Sequence, residues 1–566
     1  MNNLFPLLNV FKSYSKAWLK QDLFAGLVVG VMLIPQGMAY AMIAGLPPIY
    51  GLYTAIVPTI VYAIMGTSRH VSVGPVAMDS LILIAGASAF AAIGTDEYLV
   101  VTVAMTLIVG LLQLSMGFLR LGFIANFLSK PVILGFTFAA AVIISIKQFK
   151  YLLGITPVGV DGLFDEFVYY VTHLHFTHMP TMLMAIGSLV LLIGGKKLLP
   201  KWPSSLLVVV VGMGLSYILG MEQMGVSLVG QLPGGLPDFS VPVLEGLPWA
   251  RFLPLALTLS LMGFVEIYSI GQRLQSKHKA EYEIHANKEL VGLGMANIIG
   301  SFFRTFPATA SFSRSAVNES AGAKTGLASI FASLIVVLAL LFFMPVFQYL
   351  PHAVLGAIIF LAVLGLIDFK IAKSLWITDR YDFVMLMASF LGTLVFGIEW
   401  GIGFGILISL LVLVYKTSKP HMAELGRVGD STYFRNLKRF ESAVDDPHIG
   451  ILRFDARLFF ANVGSLKSKV EMMVKQKPTM KKFVLDAQSM IDADSSGIEG
   501  LEDIIRHLHD HQIEFHMVSI IGPVRDKFFK TGLSEKIGLD HIHDCIADAI
   551  LIDDAKTKLS YQTNVK

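Results

Sequence analysis

The chain has a single cysteine, Cys545, and few charged residues. One cysteine excludes disulfide bonds within the chain and thiolate clusters around a metal. Asp, Glu, Lys and Arg make up 15% of the 566 residues, whereas hydrophobic residues make up 54%, which is far from the balance of a soluble domain. The net charge of +3 gives no reason to expect a nucleic acid as partner. We therefore expect a lipid bilayer around most of the chain.

The charged residues are concentrated at the C-terminal end, because about half of them follow residue 420, in roughly a quarter of the length. The first residues contain lysines but no short apolar core followed by a cleavage site, so we expect no removable signal peptide. This composition predicts an N-terminal cytoplasmic segment over 1–21, a membrane domain over 22–416, a linker over 417–440, a soluble domain over 441–555 and a tail over 556–566.

Fourteen segments are apolar enough to be membrane helices, each of which needs about 20 residues to cross a bilayer. With the N-terminus in the cytoplasm, most Lys and Arg residues between the segments fall in inner loops, as the positive-inside rule requires. Both termini are then cytoplasmic, and we expect a bacterial-type inner membrane. The predicted segments are 22–44, 47–66, 74–92, 99–118, 123–146, 180–198, 204–220, 252–272, 287–303, 307–321, 324–345, 353–368, 381–397 and 400–416.

Two segments, 74–92 and 307–321, are abnormal as membrane helices. The first opens with Ser-Val-Gly-Pro over 72–75, and the second has a proline, many small residues and two charges. We expect half-helices preceded by extended lead-ins. They are the third and tenth of the fourteen segments, so each is the third in a set of seven. Because each repeat has an odd number of helices, the second repeat must insert with the opposite topology to the first. This spacing predicts inverted repeats over about 22–220 and 252–416, with a binding site at the half-helices.

The charged C-terminal part predicts a small α/β domain. Buried strands are predicted over 449–456, 482–487 and 513–519. Helices are predicted near 463–475, 498–511 and 523–531.

Several long motifs resemble the SulP family of anion transporters, which includes plant sulfate transporters and the animal proteins pendrin and prestin. The soluble end resembles a STAS domain, related to bacterial anti-sigma-factor antagonists. The resemblance implies seven plus seven inverted helices in a core and a gate domain, a homodimer, and an anion between the half-helices that also contacts Gln36 and Tyr40. The motifs are Pro35-Gln36-Gly37-Met38-Ala39-Tyr40-Ala41, Leu46 to Tyr53, Gly66 to Pro75, Asn287 to Leu290, Ser311 to Ser315, and Asp494-Ser495-Ser496-Gly497.

The half-helices predict an anion site. A helix that begins in mid-membrane points unpaired N–H groups and the positive end of its dipole into the cavity. From the spacing, the backbone around Val76, Ala77 and Ser313 would bind the anion, with hydroxyl donors from Ser311 and Ser313. Alternatively, the prolines merely kink helices and the serines bond to their own backbone. The paired positions favour the site.

Arg314 is expected just beyond the start of the second half-helix, where an unpaired cation in hydrocarbon costs several kcal/mol. Its charge would strengthen the field that attracts an anion. Direct contact with the substrate and a structural ion pair with Glu319, Glu266 or Asp79 are both open.

Glu266 lies well inside the eighth segment, where an ionised carboxylate is costly and a proton carrier is natural. The resemblance implies an acid here in cation-coupled members. In sodium-dependent bicarbonate relatives a Thr follows one turn later, but here that residue is Ile270, so an oxygen ligand is missing and H⁺ is favoured over Na⁺. A structural pair with Arg314 is the alternative. Asp79 is either a second proton site or an anchor of its half-helix.

In the soluble part, Ser496 matches the serine that is phosphorylated in the antagonist relatives. Asp and Ser are also ordinary N-caps, and we favour this interpretation because no kinase can be inferred from the sequence. His507, His509 and His511 lie two apart, whereas helical metal ligands prefer three or four. No metal or cofactor is assigned.

The leading interpretation is proton-coupled uptake of a small oxyanion, sulfate first. Bicarbonate, a C4-dicarboxylate, or exchange with chloride are alternatives within transport. A different class is a membrane sensor or scaffold with the STAS domain as output, and in either class a regulatory protein could bind that domain. An enzyme is not expected, because the sequence has no nucleophile elbow or nucleotide loop.

Overall fold

A computed structural model describes most of the chain. It contains two compact units, Met1–Ser409 and Leu410–Lys566. The predicted tail, 556–566, and much of the predicted N-terminal segment lie outside the described residues. The described residues are 6–7, 14–126, 130–160, 162–198, 204–231, 235–246, 249–278, 282–429 and 431–551.

Helices are present at all fourteen predicted segments. Six continuous helical stretches among the described residues are long and apolar enough to cross a membrane. The first repeat contains α1 (Lys16–Ile43), α2 (Pro48–Thr54), α3 (Val57–Met65), β1 (Val73–Gly74), α4 (Ala77–Ala87), α5 (Asp96–Phe118), α6 (Lys130–Leu153), α7 (Leu163–Thr172), α8 (Met179–Leu198) and α9 (Ser204–Ile218). The second contains α10 (Trp249–Lys277), α11 (Ala286–Ser301), β2 (Thr309–Ala310), α12 (Phe312–Ser320), α13 (Leu327–Phe342), α14 (Met344–Phe347), α15 (His352–Leu364), α16 (Phe369–Thr378), α17 (Arg380–Phe396) and α18 (Ile398–Ser418).

Helix packing follows the two-fold relation of inverted repeats. Helix α1 packs against α13, and its counterpart α10 packs against α5. Helix α5 packs against α11, and the corresponding pair is α13 against α3. Likewise, α6 packs against α17, and the corresponding pair is α15 against α8. The helices form two groups. One group contains α1 to α5 and α10 to α13, and the other contains α6, α8, α9, α15 and α17. These groups are the predicted core and gate domains.

Helices α1 and α2 meet through backbone atoms. A Cβ added to Gly51 would lie 1.8 Å from the carbonyl oxygen of Gly37, far inside van der Waals contact. Gly37 belongs to α1 and Gly51 to α2. Gly37 and Gly51, which belong to the first two motifs, therefore permit α1 and α2 to cross at close backbone contact.

Gly51→Ala should destabilise the membrane unit, because the methyl group meets main chain and not the end of a flexible side chain. Overpacking of this kind costs about 1–3 kcal/mol or more. The measurement is the midpoint of thermal unfolding in detergent. Gly187→Ala in α8 is the control, since its Cβ would meet no atom within 4 Å. An equal midpoint in both variants would contradict the packing.

The C-terminal unit is an α/β domain with a seven-stranded sheet. Strands β6 to β9 are mutually parallel, and β3 is antiparallel to β6 and β4. Leu452, Leu485 and Leu501 belong to one of its two apolar clusters. The elements are β3 (Met422–Val428), β4 (Phe434–Asn436), β5 (Ala443–Val444), β6 (Ile449–Phe454), α19 (Val463–Gln476), β7 (Lys482–Asp486), α20 (Ser495–Asp510), β8 (Glu514–Val518), α21 (Gly522–Lys530), α22 (Leu533–Ile537), β9 (Ile542–His543) and α23 (Ile546–Leu551).

The linker predicted over 417–440 is wrong for most of its length. Strands β3 and β4 lie within it and belong to the sheet. Ala423 and Leu425, on one side of β3, are buried. Alternation with period two over so short a strand is easily overlooked.

A histidine cluster lies at the end of the parallel sheet. His516 Nδ1 is 3.0 Å from His543 Nε2, and the ring of His541 is 4.3 Å from that of His516. Burial, and then the proximity of His541, lowers the pKa of His516 to about 4. The folded domain therefore favours the neutral imidazole.

The stability of this domain should fall with pH in the window from 6.5 down to about 4. An unfolded histidine has a pKa near 6.5, so stability is fully present above that value and is lost as protons bind the unfolded chain preferentially. His516→Gln should remove about 2–3 kcal/mol of the difference in unfolding free energy between pH 7 and pH 4. Urea unfolding of the soluble unit measures it. His509→Gln, at an exposed position, should not alter the difference; equal pH dependence in both variants would disprove the role of His516.

Candidate anion-binding site

A short antiparallel ladder joins the two half-helices. Val73 pairs with Ala310 and Gly74 with Thr309. The ladder is extended by side-chain and main-chain bonds, because Ser311 N donates to Ser72 O at 3.1 Å and Ser72 N donates to Ser315 Oγ at 3.0 Å. Helix α4 follows β1 and α12 follows β2, so the two helices leave from opposite ends of the ladder with their N-termini beside it.

The start of α4 has no capping side chain. Val76 is its N-cap residue and provides no side-chain hydrogen bond. In α12 the N-cap is Ser311, whose hydroxyl accepts from Arg314 N at 3.5 Å and lies 3.2 Å from Ser313 Oγ. Val76, Ala77 and Ser311 are buried, whereas Ser313 is exposed. The backbone groups predicted to bind the anion thus occur at both helix starts, and Ser313 faces open space.

Arg314 is fully buried at the ladder. Its Nη1 donates to Pro75 O at 2.8 Å, which ties α12 to the lead-in of α4. Its Nε and Nη2 have no hydrogen-bond partner in the described part of the chain. Gly74 provides the space, since a Cβ there would lie 3.3 Å from Nη2 and its φ of +153° disfavours other residues. Two donor nitrogens of the charged guanidinium are therefore left over.

Of the alternative ion pairs left open for Arg314, the one with Glu319 does not form. Glu319 binds Lys277 Nζ at 3.0 Å and approaches His278 Nε2 at 3.3 Å, at the far end of α12. One turn and a half of helix separates Arg314 from Glu319, so the two side chains point to different surroundings.

Gln36 and Tyr40 lie on α1, which packs against α4 and α12. Both are buried, at 6% and 7% exposure. Gln36 Oε1 has no hydrogen-bond partner among the described residues. These two residues are placed beside the half-helices, as the resemblance implied.

Glu266 and Asp79 bring acidic groups to the same region. Asp79 is in the first turn of α4 and is 2% exposed. Helix α10, which carries Glu266, packs against α4 and β2, and Thr309 Oγ1 donates to Gly263 O at 2.9 Å. Asp79 Oδ1 and Glu266 Oε2 are buried without a hydrogen-bond partner among the described residues. One turn after Glu266, Ile270 presents a buried apolar side chain.

Glu289 is a buried acid whose role the sequence did not reveal. It accepts from Tyr62 Oη at 2.6 Å and from Thr67 N at 2.7 Å, and also from Thr67 Oγ1. It thereby fixes the lead-in of the first half-helix to α3 and α11. Its position within a family motif, Asn287 to Leu290, was the available signal, but its partners are more than 220 residues away.

In the soluble domain, Asp494 is the N-cap of α20 and its Oδ1 accepts from Gly497 N at 2.7 Å. Ser496, in the first turn, is partly exposed. His511 Nδ1 lies 2.8 Å from His507 O. No group of three or more His, Cys, Asp and Glu residues suited to a metal occurs among the described residues.

Comparisons with known proteins agree over most of the chain. Residues 19–389 match the sulfate permease family, and residues 442–549 match the STAS domain. Sulfate transporter 4.1, chloroplastic, of Arabidopsis thaliana is 34% identical over 98% of this chain and 83% of its own length. High affinity sulfate transporter 2 of Stylosanthes hamata is 31% identical over 98% and 87%.

Solved structures show the same architecture. The murine Solute Carrier 26 family member A9 anion transporter, in the inward-facing state, is 26% identical, with a TM-score of 0.87 over 98% of this chain and 94% of that one. The transmembrane domain of a cyanobacterium bicarbonate transporter, BicA, shares the fold at 21% identity, with a TM-score of 0.60 over 70% of this chain and 98% of its own. The chain therefore belongs to the sulfate permease family of multi-pass membrane anion transporters, with a C-terminal STAS domain, and is not an enzyme.

Proposed function

We propose that this protein takes up sulfate together with protons by alternating access, and that the anion binds between the N-termini of α4 and α12. The observation that carries the proposal is that the starts of α4 and α12, of which α4 lacks a side-chain cap, lie beside a buried arginine with two unused donor nitrogens.

Charge and geometry support an anion at this place. The positive ends of two helix dipoles and the Arg314 guanidinium act in a region with little water, where each interaction is stronger than in solution. The substrate contacts are the backbone at Val76 and Ala77, the hydroxyls of Ser311 and Ser313, and the Arg314 side chain. Gln36 and Tyr40 of α1 complete the surroundings.

Sulfate is favoured among anions because relatives that span nearly this whole chain are named sulfate transporters. A tetrahedral dianion also suits donors that converge from two helices and an arginine. Bicarbonate, a C4-dicarboxylate and chloride are the competing substrates.

Glu266 is the proposed proton carrier, with Asp79 as a second acid of the proton site. A carboxylate in the middle of a membrane domain alternates between charged and neutral forms only if a proton accompanies it. Sodium is disfavoured, since Ile270 provides no oxygen where a hard cation would need one.

The assembly follows the family resemblance. The protein would be a homodimer in a bacterial-type inner membrane with both termini in the cytoplasm. The STAS domain would bind a regulatory protein, with Ser496 as the residue for regulatory phosphorylation. Placed in the first turn of α20, a phosphate would be favoured by the helix dipole and would change the charge of this surface.

Counterflow in proteoliposomes identifies the substrate. Vesicles loaded with unlabelled sulfate should exchange it for external radiolabelled sulfate, and unlabelled external sulfate should compete better than bicarbonate, succinate or chloride. Stronger competition by one of these anions would assign that anion as substrate. Absence of exchange with all four would favour a sensor or scaffold.

A further inference from the structure

A buried asparagine of α11 holds the chain that leads into the second half-helix. Asn297 Oδ1 accepts from Ala308 N at 2.8 Å, and Asn297 Nδ2 donates to Ala308 O at 3.2 Å. Ala308 lies directly before β2, and both residues are buried. One carboxamide therefore pairs with both main-chain groups of one residue, as a residue of a neighbouring antiparallel strand would do.

The second hydrogen of the carboxamide is used as well. Asn297 Nδ2 donates to Gln113 Oε1 of α5 at 2.9 Å, and Gln113 Nε2 donates to Ser260 O of α10 at 3.4 Å. Because these bonds need the oxygen of Asn297 on one side and its nitrogen on the other, the orientation of the carboxamide is fixed. The lead-in at Ala308 is thereby tied to three helices in series.

Helices α5 and α11 cross at main-chain contact beside this pair. A Cβ added to Gly110 would lie 2.7 Å from a main-chain nitrogen of α11, and one added to Gly294 would lie 2.6 Å from a main-chain nitrogen of α5. Gln113 and Asn297 each follow one of these glycines within a single helical turn. The carboxamide therefore stands on a closely packed support.

Helix α11 also holds the lead-in of the first half-helix. Glu289, eight residues before Asn297, accepts from Tyr62 Oη and from Thr67 N. Eight residues of helix span about 12 Å. A single helix thus carries one side chain for each of the two lead-ins, so the distance between the half-helix starts depends on it.

The bond to Ala308 acts close to the anion site. Ala308 lies three residues before Ser311, the N-cap of α12, and a shift of the lead-in would move this helix start. We propose that Asn297 is a positioning residue of the anion site. By holding Ala308 it sets where α12 begins, and so where the N–H groups and hydroxyls of that helix start meet the anion.

This inference rests on the proposed function, because it names a residue that acts on the anion through α12. Removal of the carboxamide leaves Ala308 N and O and Gln113 Oε1 without this partner, and buried main-chain groups are normally paired. The lead-in should then shift towards other partners. Asn297 is not among the proposed substrate contacts, so we expect weaker binding of the anion with little change in the rate of its passage.

Asn297→Ala tests the inference by the sulfate concentration at which counterflow in proteoliposomes is half-maximal. We expect this concentration to rise about tenfold or more, as on loss of one hydrogen bond to a charged group, while the maximal exchange rate falls by no more than about twofold. Gln113→Met leaves the two bonds to Ala308 in place and should raise the concentration only about threefold. Ser389→Ala is the control and should leave it unchanged, since it removes a buried hydrogen bond of 2.9 Å to Val132 O, between α17 and α6.

Hydrogen exchange of the same variants reports on the lead-in without an anion. Peptides that cover 305–311 should exchange faster in Asn297→Ala than in the native protein. Peptides that cover 67–72, which follow the bond to Glu289, should exchange as they do in the native protein. This comparison separates a local loss of position from a general loss of stability, and it does not depend on which anion is carried.

Several outcomes would overturn the inference. Unchanged hydrogen exchange over 305–311, or an equal half-maximal concentration in Asn297→Ala and Ser389→Ala, would show that the carboxamide does not position α12. A lower maximal rate at an unchanged half-maximal concentration, or faster hydrogen exchange at both lead-ins, would make Asn297 a structural residue only. If Asn297→Ala does not fold, native behaviour of Gln113→Met in both measurements would be the contradicting result. Native protein that does not exchange sulfate would instead refute the proposed function, and hydrogen exchange would still decide whether Asn297 positions the lead-in.

Discussion

Ser313→Leu is expected to abolish anion uptake. Ser313 is exposed at the start of α12, beside Ser311, and a leucine there would fill the space between the half-helices with an apolar branch. An anion that loses one hydrogen bond to a charged oxygen loses about 1.5–3 kcal/mol, or about tenfold to a hundredfold in affinity, and the leucine side chain also obstructs its place. Radiolabelled sulfate uptake into proteoliposomes should fall to background.

The variant must remain folded for this result to be informative. Ser320→Leu, at the other end of the same helix and also exposed, introduces the same side chain away from the helix start. It should transport normally, and both variants should elute as the native protein does in detergent. Near-normal uptake by Ser313→Leu would place the anion elsewhere.

Glu266→Gln is expected to uncouple transport from the proton gradient. Glutamine keeps the size of the side chain but cannot carry a proton, so it mimics the protonated state permanently. If the carboxylate must be neutral before the core domain can carry its anion across, the variant should still exchange internal for external sulfate. Uptake driven by an inward proton gradient should fall to background.

Two comparisons sharpen this experiment. Glu222→Gln changes an exposed glutamate and should keep proton-driven uptake. A sodium gradient should drive neither the native protein nor the variant. Sodium-driven uptake would overturn the argument from Ile270, and loss of both exchange and uptake in Glu266→Gln would make Glu266 a structural partner.

The membrane fold could be predicted from sequence because its signals are local. Apolar segments of suitable length mark the spans, and the interruptions near Pro75 and Pro307 mark the half-helices. The structure begins those half-helices at Ala77 and Phe312, after two-residue strands. Local patterns did not predict α7 and α16, which lie between spans and are only partly apolar.

The partners of the buried polar groups could not be predicted in the same way. The Arg314 side chain donates to the main-chain carbonyl of Pro75, 239 residues away in sequence. Nothing in the composition or local pattern of the sequence indicates such a contact. From the sequence, a carboxylate partner and direct contact with the substrate were both open, because buried cations are usually paired or hydrated. Glu289 shows the same limit, since Tyr62 and Thr67 are brought to it only by the packing of α3 against α11.

Proton-driven sulfate accumulation by the native protein tests the central proposal most directly. Proteoliposomes with an alkaline interior and an acidic exterior should accumulate radiolabelled sulfate above its external concentration, and collapse of the pH gradient with a protonophore should release the excess. Uptake that only equilibrates sulfate, whatever the pH gradient, would contradict proton coupling and leave an exchanger or a channel.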